Sequence, residues 1–135
     1  MKLCDTSVLV DIDRGVDDRV ARLDDDDRHA ISTVTVTELR LGVTKRYEAG
    51  DARQNALEDL ERLLARFTII DVDRAVSTAA ADLISTLQRR GEPFHDLHDV
   101  YVGATALTEQ LPVLTTNVAH FERMVIGAVV DWSIF

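Results

Sequence analysis

The amino-acid sequence predicts an α/β fold, a parallel five-stranded sheet flanked by helices on both faces, in a single domain over residues 1–135. Three observations lead there. Short apolar, β-branched runs recur at Lys2–Cys4, Ala30–Ser32, Thr68–Ile70, Val113–Thr115 and Ala128–Val130. Longer segments with helical apolar spacing lie between them. Strands that alternate with helices in this way pair in parallel through right-handed crossovers.

The elements follow in order. After the first strand, helical pieces run from about Val8 to Leu23, and the acidic run Asp24-Asp25-Asp26-Asp27 reads as a solvated loop. A helix over Val36–Ala49 carries Leu39, Val43 and Tyr47 as an i, i+4, i+8 stripe. Gly50-Asp51 breaks it and starts the next, with Leu57, Leu60, Leu63 and Leu64. Asp73 opens a long helix (Val76, Ala80, Leu83, Ile84, Leu87) that stops at Gly91, a glycine placed to end a helix in the left-handed region. Asp96 opens another through Glu109, and a short helix covers Val118–Met124. There is no internal repeat and no Pro/Gly/Ser-rich linker.

Composition bounds the function. Hydrophobic residues make up 46% of the 135, which suits a folded core, and no apolar run approaches the ~20 residues of a membrane span. The acid at Asp5 interrupts the N-terminal apolar stretch where a signal peptide would continue, so this segment reads as a structural strand. A lone cysteine, Cys4, excludes an internal disulfide, suits a reducing cytoplasm, and reads as a small buried hydrophobe. Net charge is −9, and Lys2 and Lys45 are the only lysines. An acidic, lysine-poor surface suggests a halophilic setting, where net charge sustains solubility. It also opposes nucleic-acid binding, because phosphates are usually met by a basic face. Salt softens that objection, since the Debye length falls to ~3 Å at 1 M.

Ligands of parallel sheets bind at the carboxyl ends of the strands, where strand order reverses. Four polar residues map to that edge: Asp5 after the first strand, Glu38 in the first turn after the second, Asp99 near a helix start, and Asn117 after the fourth strand. Each has a competing structural reading. Asp5 and Asn117 could cap helices, Glu38 could close a capping box with Thr35, and Asp99 could favour the positive end of a helix that Asp96 caps. Together they say more. Three carboxylates in one cleft repel one another, and a divalent cation relieves that repulsion. An all-oxygen donor set suits Mg²⁺ or Mn²⁺ rather than zinc. His29, His95, His98 and His120 lack zinc-type spacing, and His98 reads as a solvated or capping residue. Such a site suits phosphodiester hydrolysis without a covalent nucleophile, as neither Thr6 nor Ser7 has an identifiable base.

The segments Leu3-Cys4-Asp5-Thr6-Ser7-Val8-Leu9, Ser32–Gly42, Asp99–Ala106 and Leu114–Phe121, with the tail Val130-Asp131-Trp132, resemble the PIN-domain signatures of VapC-type toxins. The resemblance covers essentially the whole chain. It implies a Mg²⁺- or Mn²⁺-dependent endoribonuclease whose catalytic and metal positions fall on Asp5, Glu38, Asp99 and Asn117. The family's fourth position is often aspartate; asparagine here keeps a carbonyl oxygen but removes a charge. Thr6 and Thr115 match hydroxyl positions that support such a site, and Asp96 is an additional candidate one helical turn from Asp99. Arg40, and farther along the same helix Lys45 and Arg46, could meet RNA phosphates or merely balance the acidic surface. The resemblance further implies a homodimer and a VapB-like antitoxin whose tail occupies the cleft.

Three alternatives compete. A haloacid-dehalogenase-type hydrolase needs a second aspartate where this chain has Ser7, and a response-regulator receiver needs a late lysine that is absent. The third is a catalytically weak PIN module that binds RNA or an antitoxin without turnover, favoured only by Asn117.

The composition gives a first prediction. The purified protein is expected to lose stability and monodispersity as molar salt is dialysed away, measured by thermal melting and light scattering. Equal behaviour without salt contradicts the halophilic reading.

Overall fold

A computed structural model describes residues 1–135 apart from Val16, Asp26, residues 93–95 and Val125, and apart from the side chains of Asp17 and Asp25. The middle of the acidic run and His95 therefore lie outside the described residues. Five strands pair in parallel: β1 (Leu3–Cys4), β2 (Ala30–Ser32), β3 (Thr68–Ile70), β4 (Val113–Thr115) and β5 (Val129–Asp131), in spatial order β3-β2-β1-β4-β5. The helices are α1 (Thr6–Asp13), α2 (Asp17–Asp25), α3 (Thr33–Arg46), α4 (Asp51–Leu64), α5 (Arg74–Arg89), α6 (Leu97–Glu109) and α7 (Val118–Glu122), and a 3₁₀ turn covers Trp132–Ile134.

Strand residues alternate between two cores, one on each face of the sheet. Leu3, Ala30 and Val113 join a core with Val76, Ala80, Leu83 and Leu87 of α5 and with Val100 and Val102 of α6. Cys4, Ile31 and Leu114 join the other, with Val8 and Leu9 of α1, Leu23 of α2, and Leu60 and Leu64 of α4. Helix α6 is buried on nearly all sides, which explains why Val100–Ala106 shows no polar stripe. This two-faced burial is the sandwich of helices that the alternating sequence predicts.

Local chemistry sets the helix ends. At the end of α5, the Gly91 N–H donates to the Gln88 carbonyl at 3.0 Å and the Glu92 N–H to the Leu87 carbonyl at 2.9 Å, with Gly91 at φ 69°. This is the closing motif that the glycine predicted. Helix α3 starts at Thr33 instead of Val36, because the Ser32 hydroxyl accepts the Val34 N–H at 3.1 Å and caps it. The run Thr33–Thr37 is β-branched and reads poorly as helix, yet cap and packing override propensity. Asp24 and Asp25 belong to α2 and not to a loop: Leu23, 3% exposed, anchors the last turn, and Arg66 pairs with Asp24.

The chain's end is fastened back onto its beginning. Fully buried Trp132 donates from Nε1 to Asp11 Oδ2 at 2.9 Å, and Arg19 lies over its ring, 5.0 Å from the centroid. The Arg19 guanidinium also donates to the Trp132 carbonyl at 3.2 Å. Cys4 is fully buried, and desolvation raises its thiol to about 12 against the lowering charge of Lys2, with a smaller push from Asp5. It is an inert core residue, as the sequence indicates.

Candidate active site

Strand order reverses between β1 and β4, and Asp5 follows β1 at that seam. Its backbone N–H donates to the Leu114 carbonyl at 2.9 Å, extending the ladder by one bond. The carboxylate is almost wholly buried, and its Oδ2 accepts from Ser7 Oγ at 3.0 Å and Thr115 Oγ1 at 2.9 Å. Both hydroxyls have a second duty. Thr115 Oγ1 accepts the Asn117 N–H at 2.9 Å, and Ser7 Oγ accepts the Thr116 N–H at 3.2 Å. Each is thereby oriented to donate toward Asp5, so the β4 exit loop and the start of α1 together fix one carboxylate oxygen. Asp5 occupies the N-cap position of α1, but its side chain makes no capping bond.

Asp99 enters from the first turn of α6. Its Oδ2 lies 3.0 Å from His120 Nδ1 on α7. Burial raises its pKa, Asp5 and Asp96 add to that rise, and the His120 hydrogen bond and His98 oppose it. Asp96 caps α6 by accepting the His98 N–H at 3.0 Å, and it also lines the cleft.

Glu38 sits in the second turn of α3, not the first, because the helix starts early. The capping box with Thr35 does not form, as Ser32 caps α3 instead. Burial pushes the Glu38 carboxyl up to about 7, with further contributions from Asp96, Asp5 and Asp99 and an opposing hydrogen bond from Thr6. The Thr6 hydroxyl donates to Thr35 Oγ1 at 3.3 Å and lies 3.2 Å from His98 Nε2.

His98 corrects the sequence reading. It is neither solvated nor a cap; its side chain is 11% exposed, with Nε2 against Glu38 Oε1 and Nδ1 buried without a hydrogen-bond partner among the described residues. One ligand atom from each of Asp5, His98 and Asp99 falls within 4.8 Å of the others. Adjacency to Asp99 at a helix start was the available signal, but only the fold shows that the ring turns inward. His120, also missed, is placed by α7 following directly on the β4 exit.

These groups line a cleft of 590 Å³ that also takes in Asn117, Asp96 and Arg14. Asn117 is exposed, and its side chain makes no capping bond to α7. Arg40 is exposed and does not line the cleft, and Lys45 and Arg46 are exposed farther along α3. Arg14, at the end of α1, is the arginine the cleft contains among the described residues.

The donor set fits a divalent cation. Two carboxylates converge with an imidazole, a third carboxyl is raised by burial and by its acidic neighbours, and one His98 nitrogen is buried without a partner among the described residues.

The PIN domain family model matches residues 2–126. The chain belongs to the PIN-domain family. Ribonuclease VapC4 of Mycobacterium tuberculosis is 35% identical over 120 residues, covering 85% of each chain. FitAcB from Neisseria gonorrhoeae superposes with a TM-score of 0.86 at 30% identity, over 100% of both chains. VapBC-5 of Mycobacterium tuberculosis, a member of the VapBC family of toxin–antitoxin systems, gives 0.69 at 26% identity, over 96% of this chain and 97% of that one. This is a VapC-type PIN domain, and the fold that the resemblance implied is the fold observed.

The raised Glu38 carboxyl has a consequence for the metal-free PIN domain. Its folded pKa of about 7 lies above the ordinary 4.5, so between those values the folded state keeps a proton that the unfolded chain has released. Stability therefore falls as pH rises through that window and levels off above it. In EDTA the melting temperature is expected to drop from about pH 5 to about pH 8, and to drop less in Glu38→Gln, which ends above the parent protein. Parallel curves contradict the assignment.

Proposed function

We propose that this PIN domain, a single domain over residues 1–135, is an endoribonuclease that hydrolyses RNA phosphodiester bonds with Mg²⁺ or Mn²⁺, acting as the toxin of a VapBC-type pair. The observation that carries the reading is the convergence of Asp5 and Asp99 at the strand-order reversal, beside Glu38, whose carboxyl is raised by burial and then by the charges of Asp96, Asp5 and Asp99. The ribonuclease name of the Mycobacterium tuberculosis relative supports it.

Asp5, Glu38, Asp99 and Asn117 are the catalytic and metal-holding residues of this reading. When bound, the cation supplies positive charge for the phosphate and for activation of the attacking water. The chain's own groups do the rest. Ser7 and Thr115 hold one oxygen of Asp5 and so fix the orientation of the other. Thr6 and Thr115 act through the carboxylates they orient. Glu38 holds its proton above the ordinary carboxyl range in the metal-free site, chiefly because it is buried, and would release that proton on joining a cation. Asn117 offers a neutral carbonyl at the rim, which weakens any second cation position. Arg14, which lines the cleft as Arg40 does not, is suited to a phosphate beside the reacting one.

The partner of this reading is a VapB-like antitoxin, supported by the VapBC assembly whose toxin fold this chain shares. A homodimer and a cytoplasmic site of action complete it, and a salt-rich cytoplasm reconciles the net charge of −9 with an RNA substrate. No helix among the described residues is long and apolar enough to cross a membrane.

Purified protein is expected to cleave RNA with Mn²⁺ or Mg²⁺, and Asp5→Asn, Glu38→Gln and Asp99→Asn each to fall to background in a gel assay run beside a mock purification. Full cleavage in EDTA, or by Asp5→Asn, refutes the mechanism. Binding of RNA or antitoxin with no turnover at any salt concentration favours the catalytically weak module.

A further inference from the structure

The donor atoms that converge most tightly are not all oxygens. Among the described residues, the one group of three potential ligand atoms within 4.8 Å pairs Asp5 and Asp99 with the imidazole of His98. Glu38 reaches the cluster through its contact with His98 Nε2. We propose that His98 is a nitrogen ligand of the cation site and biases it toward Mn²⁺ over Mg²⁺. This rests on the metal-dependent reading above.

Three features support the assignment. The ring is held close to the carboxylates by the fold itself: the Asp96 cap fixes the His98 backbone, and Thr6 and Glu38 flank Nε2. A purely structural histidine at 11% side-chain exposure would satisfy both nitrogens, yet Nδ1 is buried with no partner among the described residues, so the ring is incompletely satisfied as it stands. The other nearby histidine is unlike it. His120 is 43% exposed on its side chain and already engaged with Asp99 Oδ2, which suits a residue that orients a ligand from outside.

The chemistry then sets the preference. Mg²⁺ takes oxygen donors almost exclusively and gives up water reluctantly, whereas imidazole suits first-row transition ions. Replacing one oxygen position by nitrogen penalises Mg²⁺ and spares Mn²⁺. The all-oxygen set expected from the sequence, Asp5, Glu38, Asp99 and Asn117, would show no such bias.

The test is pulsed electron paramagnetic resonance of Mn²⁺ bound to the full chain, with Mn²⁺ and Mg²⁺ affinities measured alongside by calorimetry. The expected result is nitrogen modulation of the bound Mn²⁺ signal, shifted when histidine is labelled with nitrogen-15. His98→Gln should remove it and weaken Mn²⁺ binding by about tenfold or more while Mg²⁺ affinity changes less than about twofold. His120→Gln should retain the modulation. The parent-protein spectrum needs no variant, so the assignment stays testable even if His98→Gln folds poorly. Bound Mn²⁺ without nitrogen modulation, or modulation that survives in folded His98→Gln, overturns the ligand assignment and leaves a carboxylate site standing. Absence of any Mn²⁺ binding overturns both.

Discussion

Like charges forced together at one edge of a parallel sheet are the constraint around which this fold is arranged. Asp5, Glu38 and Asp99 come from three different elements, and each would be more stable in water, far from the others. Burial and mutual repulsion hold the protons of Glu38 and Asp99 more tightly than usual. The surrounding architecture resists the tendency to spread. Ser7 and Thr115 hydrogen-bond Asp5, His120 engages Asp99, and His98 stands between Glu38 and the other two. The two cores, one on each face of the sheet, make the positions stiff, and Trp132 ties α1, which follows Asp5, to the end of the chain.

The periodic part of this arrangement is legible in the sequence. Alternation of short β-branched runs with amphipathic segments predicts five parallel strands with helices on both faces. Gly91 and Asp73 mark helix ends by local chemistry that depends on few neighbours. Misreadings occur where tertiary contacts outweigh propensity. The β-branched Thr33–Thr37 run becomes helix because Ser32 caps it, and Asp24-Asp25 becomes helix because Leu23 is buried.

The site divides along the same line. Asp5, Glu38, Asp99 and Asn117 were legible because a topological rule places strand ends together, and all four line one cleft. His98 and His120 were not, because a side chain's direction at a helix start depends on what packs against it. Arg40 and Arg14 show the same limit: both are arginines near candidate elements, and only Arg14 lines the cleft. The capping alternatives for Asp5 and Asn117 also needed coordinates to decide, since a cap residue and a ligand share residue type and position. Neither side chain caps its helix.

Net charge and local charge therefore act at different ranges. The −9 of the whole chain acts through solvent, where molar salt would screen it within ~3 Å. The cleft carboxylates lie close together, with Asp5 and Asp99 buried, so salt would relieve them less and a divalent cation would have a specific electrostatic role there. The most direct measurement is the melting temperature of the parent protein and of the Asp5→Asn/Asp99→Asn double variant, each in EDTA and in Mn²⁺. The parent should melt below the variant in EDTA and rise when Mn²⁺ is added, while the variant stays unmoved. A parent protein that equals the variant in EDTA and ignores Mn²⁺ would contradict the view that this cleft is a strained, cation-dependent site.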